Sequence, residues 1–503
     1  MSFARVYSAQ TELLSGIIVP IETDVSNGLH NFSLIGLADR AVDESKDRMS
    51  AALKNSGFDS PKSKNEKIIV SLLPTDKKKE GGFFDVAIAL SYLLATDEIT
   101  FNPDGKLFLG SLSLSGEILP VKGLLPIIRK AQSEGFTEFF IPEQNKNEAT
   151  ILSNITLYPI KTLRELILHL EGKQPLTPYT EAPIFKKTKE VLDFALIKGQ
   201  ENAKRALTIA AAGGHNILLS GPPGTGKSML GKALIGILPE LSTPEILEVT
   251  GIHSIVTGLH ALVSERPFRS PHHTASYVSV IGGGTNVKPG EVTLAHRGIL
   301  FLDEFPEFDK RVLESLRQPL EDNVVSISRA RGSALFPSNF ILIASMNPCP
   351  CGYFETGVKK CICSQSDIMR YQKKVSGPIM DRIDIWVYVT PIAYEKLNEQ
   401  VTEIESPQIQ EAVTKARAIQ TERFKTEKNI LTNSDMSSKE ILLYAHLAKD
   451  AELLLMQSAE KLKLSARAYH RIIKLARTIA DLDSKEYIEI PHILEALQYR
   501  PKI

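Results

Sequence analysis

The chain has 503 residues, with 59 Lys and Arg against 59 Asp and Glu, so its formal net charge at pH 7 is zero. That length predicts two to four domains, and the balance excludes an overall basic field, leaving only local patches for any nucleic-acid contact. Apolar residues make up 43% and charged residues 23%, no apolar run is long enough to span a membrane, and the start, Met1-Ser2-Phe3-Ala4-Arg5, lacks the apolar core of a secretion signal; a cytoplasmic globular protein without membrane contact is expected.

Residues 1–175 read as an α+β domain of mixed strands and helices. Lys106 to Val121 predicts a hairpin turning at Ser115-Gly116, then a helix over about 124–131 stopping at Gly135, then a strand from Glu138 to Ile141. The stretch Gly116-Glu117-Ile118-Leu119-Pro120-Val121-Lys122-Gly123-Leu124 resembles the proteolytic domain of Lon-type proteases, a fold of the ribosomal S5 domain 2 kind. In that family a serine and a lysine form the catalytic pair. Here Leu125 and Pro126 follow where the lysine would stand, and the counterpart of the serine loop, Glu80-Gly81-Gly82-Phe83-Phe84-Asp85, holds no serine. With neither hydroxyl nor base no peptide bond can be attacked, so a protease-like fold without the protease is expected, serving partner contact, DNA contact or the bracing of a ring. Lys77-Lys78-Lys79 is either a solvated loop or a DNA contact. Three prolines between Lys173 and Pro183 mark a linker.

The block 184–395 carries nucleotide chemistry. A helix over Ala203 to Ala212 precedes an apolar run, Asn216 to Ser220, that reads as a buried strand. Next comes Gly221-Pro222-Pro223-Gly224-Thr225-Gly226-Lys227-Ser228, which fits G-x-x-x-x-G-K-[ST], and then apolar residues at helical spacing. A glycine-rich turn between strand and helix lets backbone N–H groups face phosphates at a helix start. Lys227 is expected on the β/γ-phosphates of ATP and Ser228 on Mg²⁺. The strand Gly298 to Leu302 ends in Asp303 and Glu304, expected to hold Mg²⁺ through water and to polarise the attacking water, respectively. A third strand, Phe340 to Ser345, ends at Met346-Asn347, and Arg382 lies beside a fourth, Ile385 to Val389.

Gly282-Gly283-Gly284 and Pro289-Gly290 predict a turn-rich projection within 250–290, made basic by Arg266, Arg269, His272, His273 and Lys288. Val324 to Phe336 reads as a second projection with Arg329 and Arg331 near its tip. His272 and His273, adjacent on an extended chain, should point to opposite faces and so not share a metal. All the chain's cysteines form two pairs, Cys349-x-Cys351 and Cys361-x-Cys363, within an insertion over 349–363. Four thiolates suit a closed, structural, tetrahedral Zn²⁺ site; reduced thiols and an iron–sulfur cluster are the alternatives. Residues 396–503 read as nearly all helical, with Ser465 capping a helix whose apolar positions are Ala468, Ile472, Leu475, Ile479 and Leu482.

The phosphate loop, the 298–304 strand, Arg266-Pro267-Phe268-Arg269-Ser270-Pro271-His272-His273-Thr274, Leu294-Ala295-His296-Arg297-Gly298 and Met346-Asn347-Pro348-Cys349-Pro350-Cys351-Gly352 together resemble the YifB/ComM family of Mg-chelatase-like AAA+ proteins over essentially the whole chain. The resemblance implies an α/β P-loop AAA+ module with a C-terminal helical lid, assembled as a homo-hexamer. It implies a motor of helicase or branch-migration type, acting on single-stranded and branched DNA in homologous recombination or natural transformation, with a recombinase as a candidate partner. It also implies roles: Asn347 orienting the lytic water, Arg382 entering the neighbouring subunit's pocket, Arg467 meeting the γ-phosphate, and both projections lining a central pore. The three residues have plainer alternatives: Asn347 as a turn cap, Arg382 paired with Asp381 or Asp384, Arg467 as a surface arginine. A Mg-chelatase-like motor remodelling a protein partner is the second reading of function, and a Lon-type protease the third.

Overall fold

The computed structural model describes residues 3–183, 185, 192–258, 261–284, 287–329, 332–357, 359–392, 405–427 and 430–501. They fall into two compact units, Met1–Lys186 with Ser242–Ser264, and Lys187–Leu241 with Glu265–Ile503. The stretch 242–264 thus leaves the nucleotide-binding block and joins the first unit, a division that a single linker near 173–183 does not give.

In the first unit the strands are β1 (Phe3–Glu12), β2 (Ser15–Asn27), β3 (Asn31–Ile35), β4 (Glu66–Leu72), β5 (Lys106–Phe108), β6 (Ser111–Leu112), β7 (Ile118–Leu119), β8 (Glu138–Pro142) and β9 (Thr156–Ile160). One sheet has the order β1-β2-β4-β3, antiparallel except for the β3–β4 pair, and another the parallel order β5-β8-β9. The hairpin expected across 106–121 is shorter than its sequence suggested: only β6 and β7 pair antiparallel, while β5 joins β8 in parallel. Leu107 and Phe108 are both fully buried, and Phe108 stacks on Phe140 at 4.8 Å; continuous burial suits a parallel sheet better than a hairpin with one wet face.

The helix Asp85–Ala95 is buried on nearly every side. Its first residue is bonded on several sides. Asp85 is wholly buried and accepts hydrogen bonds from Ser45 Oγ, from Arg48 Nε at 2.7 Å, from Ser111 Oγ at 3.0 Å and from the Leu112 N–H at 3.0 Å. A buried carboxylate persists only when paired and hydrogen-bonded in this way. Lys79, the last of the basic run, is also buried, its ammonium bonded to the carbonyls of Pro74 and Lys77, so the run is not a uniformly solvated strip.

The second unit is built on a parallel sheet of β10 (Ile217–Ser220), β11 (Phe268–Arg269), β14 (Ile299–Leu302), β17 (Ile341–Met346) and β18 (Ile385–Tyr388), in the order β11-β14-β17-β10-β18. Every residue of β14 and β17 is buried, as expected of central parallel strands. Two ribbons stand apart from it: β12 (Gly282–Gly283) with β13 (Lys288–Pro289), and β15 (Val324–Arg329) with β16 (Gly332–Pro337). The helix Lys227–Ala233 packs so close to the sheet that a Cβ on Gly231 would stand 2.7 Å from the Phe301 ring.

The C-terminal part is helical as expected, with helices Ser406–Arg423, Ser438–Tyr444, Lys449–Lys461, Ala466–Leu482 and Ile490–Gln498. Ser465 Oγ accepts from the Ala468 N–H at 3.2 Å, the predicted cap. A buried polar chain ties this part to the sheet. His215, just ahead of β10, meets Asp384 at 3.1 Å and Thr478 of the capped helix at 2.8 Å. Asn433 then links Thr478, at 3.1 Å, to Asp481, at 2.7 Å, and Asp481 is paired with both Arg423 and Arg477. No helix among the described residues is long and apolar enough to cross a membrane.

Candidate nucleotide and metal sites

Strand register assembles the nucleotide site. In the parallel sheet Ser220 lies opposite Met346, and Leu302 opposite Ala344. Residues one step beyond those strand ends, Gly221, Asp303 and Asn347, therefore emerge at the same edge, and Ser345 stands beside Asp303. The N–H of Gly221 donates to Met346 O at 3.2 Å. From there the loop runs through Pro222, Pro223, Gly224, Thr225 and Gly226, with Gly224 at φ +79° and Gly226 at +86°, conformations that favour glycine. Thr225 Oγ1 donates to Pro222 O at 2.9 Å and closes the turn.

Lys227, first residue of its helix, is nearly buried. Its ammonium donates to Gly221 O at 2.7 Å, Pro222 O at 2.8 Å and Asn347 Oδ1 at 3.1 Å. None of these partners carries charge. Burial pushes the Lys227 pKa down, opposed only by the charge of Asp303. A buried cation on a ring of neutral oxygens is suited to an anionic ligand such as a phosphate. Ser228 Oγ donates to Asp303 Oδ2 at 2.7 Å, bringing together two hard oxygen groups of the kind Mg²⁺ selects. The other oxygen of Asp303 accepts from Ser345 Oγ and, at 3.1 Å, from the Glu304 N–H.

Glu304 lies in the left-handed region at φ +52°, a conformation that costs a side-chain-bearing residue about 1 kcal/mol and clusters at functional sites. Its carboxylate is half exposed and sits 3.1 Å from His273 Nδ1. The expectation for the histidine pair is corrected here. His272 and His273 lie on a turn, not on an extended strand, and their rings approach to 4.2 Å. Ser345 and His273 are the two polar neighbours of the acidic pair that sequence reasoning missed. Ser345 was legible as a hydroxyl ending an apolar strand; the meeting of His273 and Glu304 is a tertiary event.

The remaining arginines divide. Arg382 does not pair with Asp381 or Asp384: its guanidinium meets the Glu321 carboxylate and, at 2.6 Å, Pro378 O, while Asp384 is taken by His215 and Asp381 faces Arg471 at 3.7 Å. No hydrogen bond or ion pair among the described residues joins Arg382 to Lys227, Asp303 or Glu304. Arg467 is exposed at the start of its helix and has no such partner either. Arg266 and Arg269, expected on a DNA-facing projection, have internal work instead. Arg266 donates to Pro239 O at 2.6 Å and Arg297 O at 2.8 Å, and Arg269 forms a two-point pair with Glu291 at 2.5 and 2.8 Å. Arg269 lies on β11 and Arg266 just before it, so their side chains lock the sheet edge. Lys288, on β13, is exposed. Arg329 ends β15; Arg331 lies outside the described residues.

Cys349, Cys351, Cys361 and Cys363 come together, each offering a sulfur within 4.8 Å of all the others. Three of the separations are 3.4, 3.7 and 3.6 Å. Thiolates about 2.3 Å from a tetrahedral zinc stand roughly 3.8 Å apart, whereas a disulfide would bring two sulfurs to about 2.0 Å. The sulfurs of Cys349, Cys351 and Cys361 are thus spaced as one face of such a tetrahedron, with that of Cys363 within 4.8 Å of each. The Phe354 N–H points at Cys349 Sγ at 3.3 Å, and hydrogen bonds from the backbones of Ile362 and then Tyr353 lower the Cys351 pKa to about 6. Such N–H groups favour the thiolate at Cys351, whereas, against their own backbone hydrogen bonds, burial and the neighbouring sulfurs of Cys351 and Cys349 raise the pKa of Cys361 and Cys363.

Comparison with known proteins agrees along the whole chain. Family models match over residues 193–397 (magnesium chelatase, subunit ChlI), 21–145 (subunit ChlI of Mg-chelatase) and 403–500 (subunit ChlI C-terminal). Competence protein ComM of Haemophilus influenzae is 42% identical, covering 100% of this chain and 98% of its own length. YifB of Escherichia coli is 35% identical over 99% of this chain and 97% of its own. A magnesium-chelatase 38 kDa subunit of Rhodobacter capsulatus is 28% identical over 32% of this chain and 52% of its own. The chain therefore belongs to the YifB/ComM family of Mg-chelatase-like AAA+ ATPases.

Proposed function

We propose that this chain is one subunit of a homo-hexameric ring that hydrolyses ATP to move on DNA, as a helicase or branch-migration motor in homologous recombination or natural transformation. The observation that carries the reading is the full-length likeness to a protein named for competence, joined to the gathering of Lys227, Ser228, Asp303 and Asn347 at one sheet edge. In it Lys227 and the N–H groups of Gly224 to Ser228 hold the phosphates, while Ser228 and Asp303 hold the metal. Bound Mg²⁺ would offset charge on the β- and γ-oxygens. Glu304 takes the proton of the attacking water, and His273 holds its carboxylate in place. Asn347, bonded to Lys227, positions that water. Arg382 belongs to the next subunit's pocket, which accounts for its standing apart from the acids of its own; Arg467 is the lid's contact to the γ-phosphate.

Zinc on the four cysteines completes the cofactor set with ATP and Mg²⁺. Residues 1–175 act as a protease-like fold without a dyad, in which Asp85 braces the loop where a nucleophile would stand. Lys288 and the Arg329–Arg331 tip are the pore contacts that remain once Arg266 and Arg269 are set aside. A groove of about 740 Å³ is bordered by Lys310, Arg370, Lys373 and Lys374 but also by Glu307; Lys374 pairs with Glu307 at 2.8 Å and Arg370 with Asp367 at 2.6 Å, which leaves Lys310 and Lys373 as its contribution to a local basic surface.

The second reading, a motor that remodels a protein partner, is favoured by the magnesium-chelatase match over residues 193–397. Strand displacement on three-way and four-way junctions, with ATPase measured in parallel, separates the two. Junction DNA should stimulate hydrolysis and be unwound only with ATP. If it does neither, the DNA reading fails and the protein-partner reading takes its place.

A further inference from the structure

The cysteine cluster touches the phosphate loop on both sides of its first two ligands. Upstream, Asn347 stands two residues before Cys349 and accepts from Lys227 Nζ at 3.1 Å. Downstream, Gly352 follows Cys351 directly and lies so near Pro223 that a Cβ built on it would stand 2.6 Å from Pro223 Cδ. The turn between these contacts is short and closed: the Gly352 N–H donates to Cys349 O at 3.0 Å, and Gly352 sits at φ +86°. Cys349 is buried beneath it. The segment that supplies two sulfurs is therefore also the wall against which the phosphate loop rests.

We infer that metal occupancy of the four cysteines sets the affinity of the phosphate loop for a nucleoside triphosphate. The inference rests on reading 349–363 as a metal site and 221–228 as the nucleotide loop, and adds that the first controls the second. A phosphate loop binds through backbone N–H groups that must point together, and Gly224 and Gly226 supply no side chains to hold them so. Rigidity has to come from the walls. With an ion drawing the sulfurs together, residues 349–352 are fixed, and Pro223 and Lys227 have a firm backstop. Without it, the sulfurs of Cys349, Cys351 and Cys361, 3.4–3.7 Å apart and joined by no disulfide, have nothing to hold them together. Gly352 then moves off Pro223. A chelator or a thiol-reactive agent would slow the motor by this route without touching a catalytic group.

The test uses the full chain in four forms: zinc-loaded, chelator-stripped, Cys361→Ser with Cys363→Ser, and Gly352→Ala. Zinc content, the Kd for a fluorescent ATP analogue and amide exchange over 221–228 are measured on each. The loaded form should carry about one zinc per chain. The stripped and double-serine forms should bind the analogue at least about tenfold more weakly and exchange faster over the loop. Zinc should restore the stripped form alone. Gly352→Ala should keep its zinc and still bind more weakly, which separates the contact from metal loss even if stripping unfolds the chain. Unchanged affinity in folded, zinc-free protein, or in zinc-loaded Gly352→Ala, overturns the inference. Zinc-supplemented protein that holds no metal sinks the metal reading and the inference with it. Failure of the loaded form to bind the analogue would instead remove the nucleotide reading.

Discussion

Two glycine-rich loops in this molecule each lead into a helix, and they have opposite fates. Glu80 to Asp85 opens the helix Asp85–Ala95 of the first unit, and Gly221 to Gly226 opens the helix Lys227–Ala233 of the second. At the first, the charged residue is satisfied: Asp85 has Arg48 and three neutral donors and no exposure. At the second, the charged residue donates its hydrogen bonds to neutral oxygens, and the Glu304 carboxylate stands half exposed nearby. A saturated charge holds a fold together. An under-compensated one, at a surface where a ligand can reach it, is chemistry in waiting.

The comparison can be broken most decisively at Arg382. If the pocket is shared between copies, Arg382→Ala should lower ATP turnover by about 10³, and mixing that variant with Lys227→Ala should restore part of it, because some mixed pockets are intact. Turnover unaffected by the substitution, or no recovery in mixtures that still assemble, removes the shared pocket. Next in size is the saturated loop. Asp85→Ala should cost about 3–5 kcal/mol in denaturant unfolding of the first unit, because Arg48 is left half-buried without its partner, while nucleotide affinity stays as it was. A loss below about 1 kcal/mol, the range of exposed pairs, would mean that the loop is not a brace.

Smaller effects sharpen the other side. His273→Ala should lower turnover by about tenfold with the Kd for ATP unchanged, because the imidazole that stands 3.1 Å from the Glu304 carboxylate is lost; His273→Gln should recover part of it. A parallel loss of affinity would make the residue a binding contact instead. Asp384 gives a pH prediction. Burial raises its pKa, but the hydrogen bond from His215 and the charges of Lys474 and Arg471 outweigh that and leave it lowered. Its contribution is therefore complete above the unfolded value near ~3.9 and is lost as pH falls through the folded one. Asp384→Asn should flatten the acid limb of the stability curve and leave it unchanged at neutral pH apart from a constant offset; an acid limb of wild-type steepness would contradict this. The smallest effect is expected from Arg329→Ala with Arg331→Ala: basal ATPase intact, and the salt dependence of DNA binding reduced by about one to two units of slope.

How much of this was legible in the sequence depends on whether local order or tertiary encounter decides. The strand, loop and helix around Lys227 were readable, because a glycine-rich turn between two apolar patterns has few other folds. The Ser465 cap and the convergence of four cysteines follow from short-range signals too. What sequence could not supply were partners far along the chain. Arg266 and Arg269 looked like phosphate contacts because composition cannot show that the carbonyls of Pro239 and Arg297 and the carboxylate of Glu291 already claim them. Arg382 was weighed against its neighbours Asp381 and Asp384, whereas its acid is Glu321, in the helix Arg317–Asp322. The pairing of β5 with β8 escaped for the same reason: hairpins are suggested by proximity in sequence, and burial on both faces is known only once the core exists.

The helix Thr243–Thr257 has a consequence for anyone who would cut this chain in two. It is spelled out between the phosphate loop and its acids, yet it belongs to the first unit, where Ile255 packs at Gly123 and Ile246, Val249 and Ile252 are buried. Removing everything before residue 187 would leave the catalytic machinery intact on paper and this apolar helix bereft of the surface that covers it. Such a fragment should clump or bind membranes and chaperones indiscriminately. The chain enters the second unit at residue 187, returns to the first for residues 242–264, and re-enters the second at residue 265, so no single cut yields both units whole.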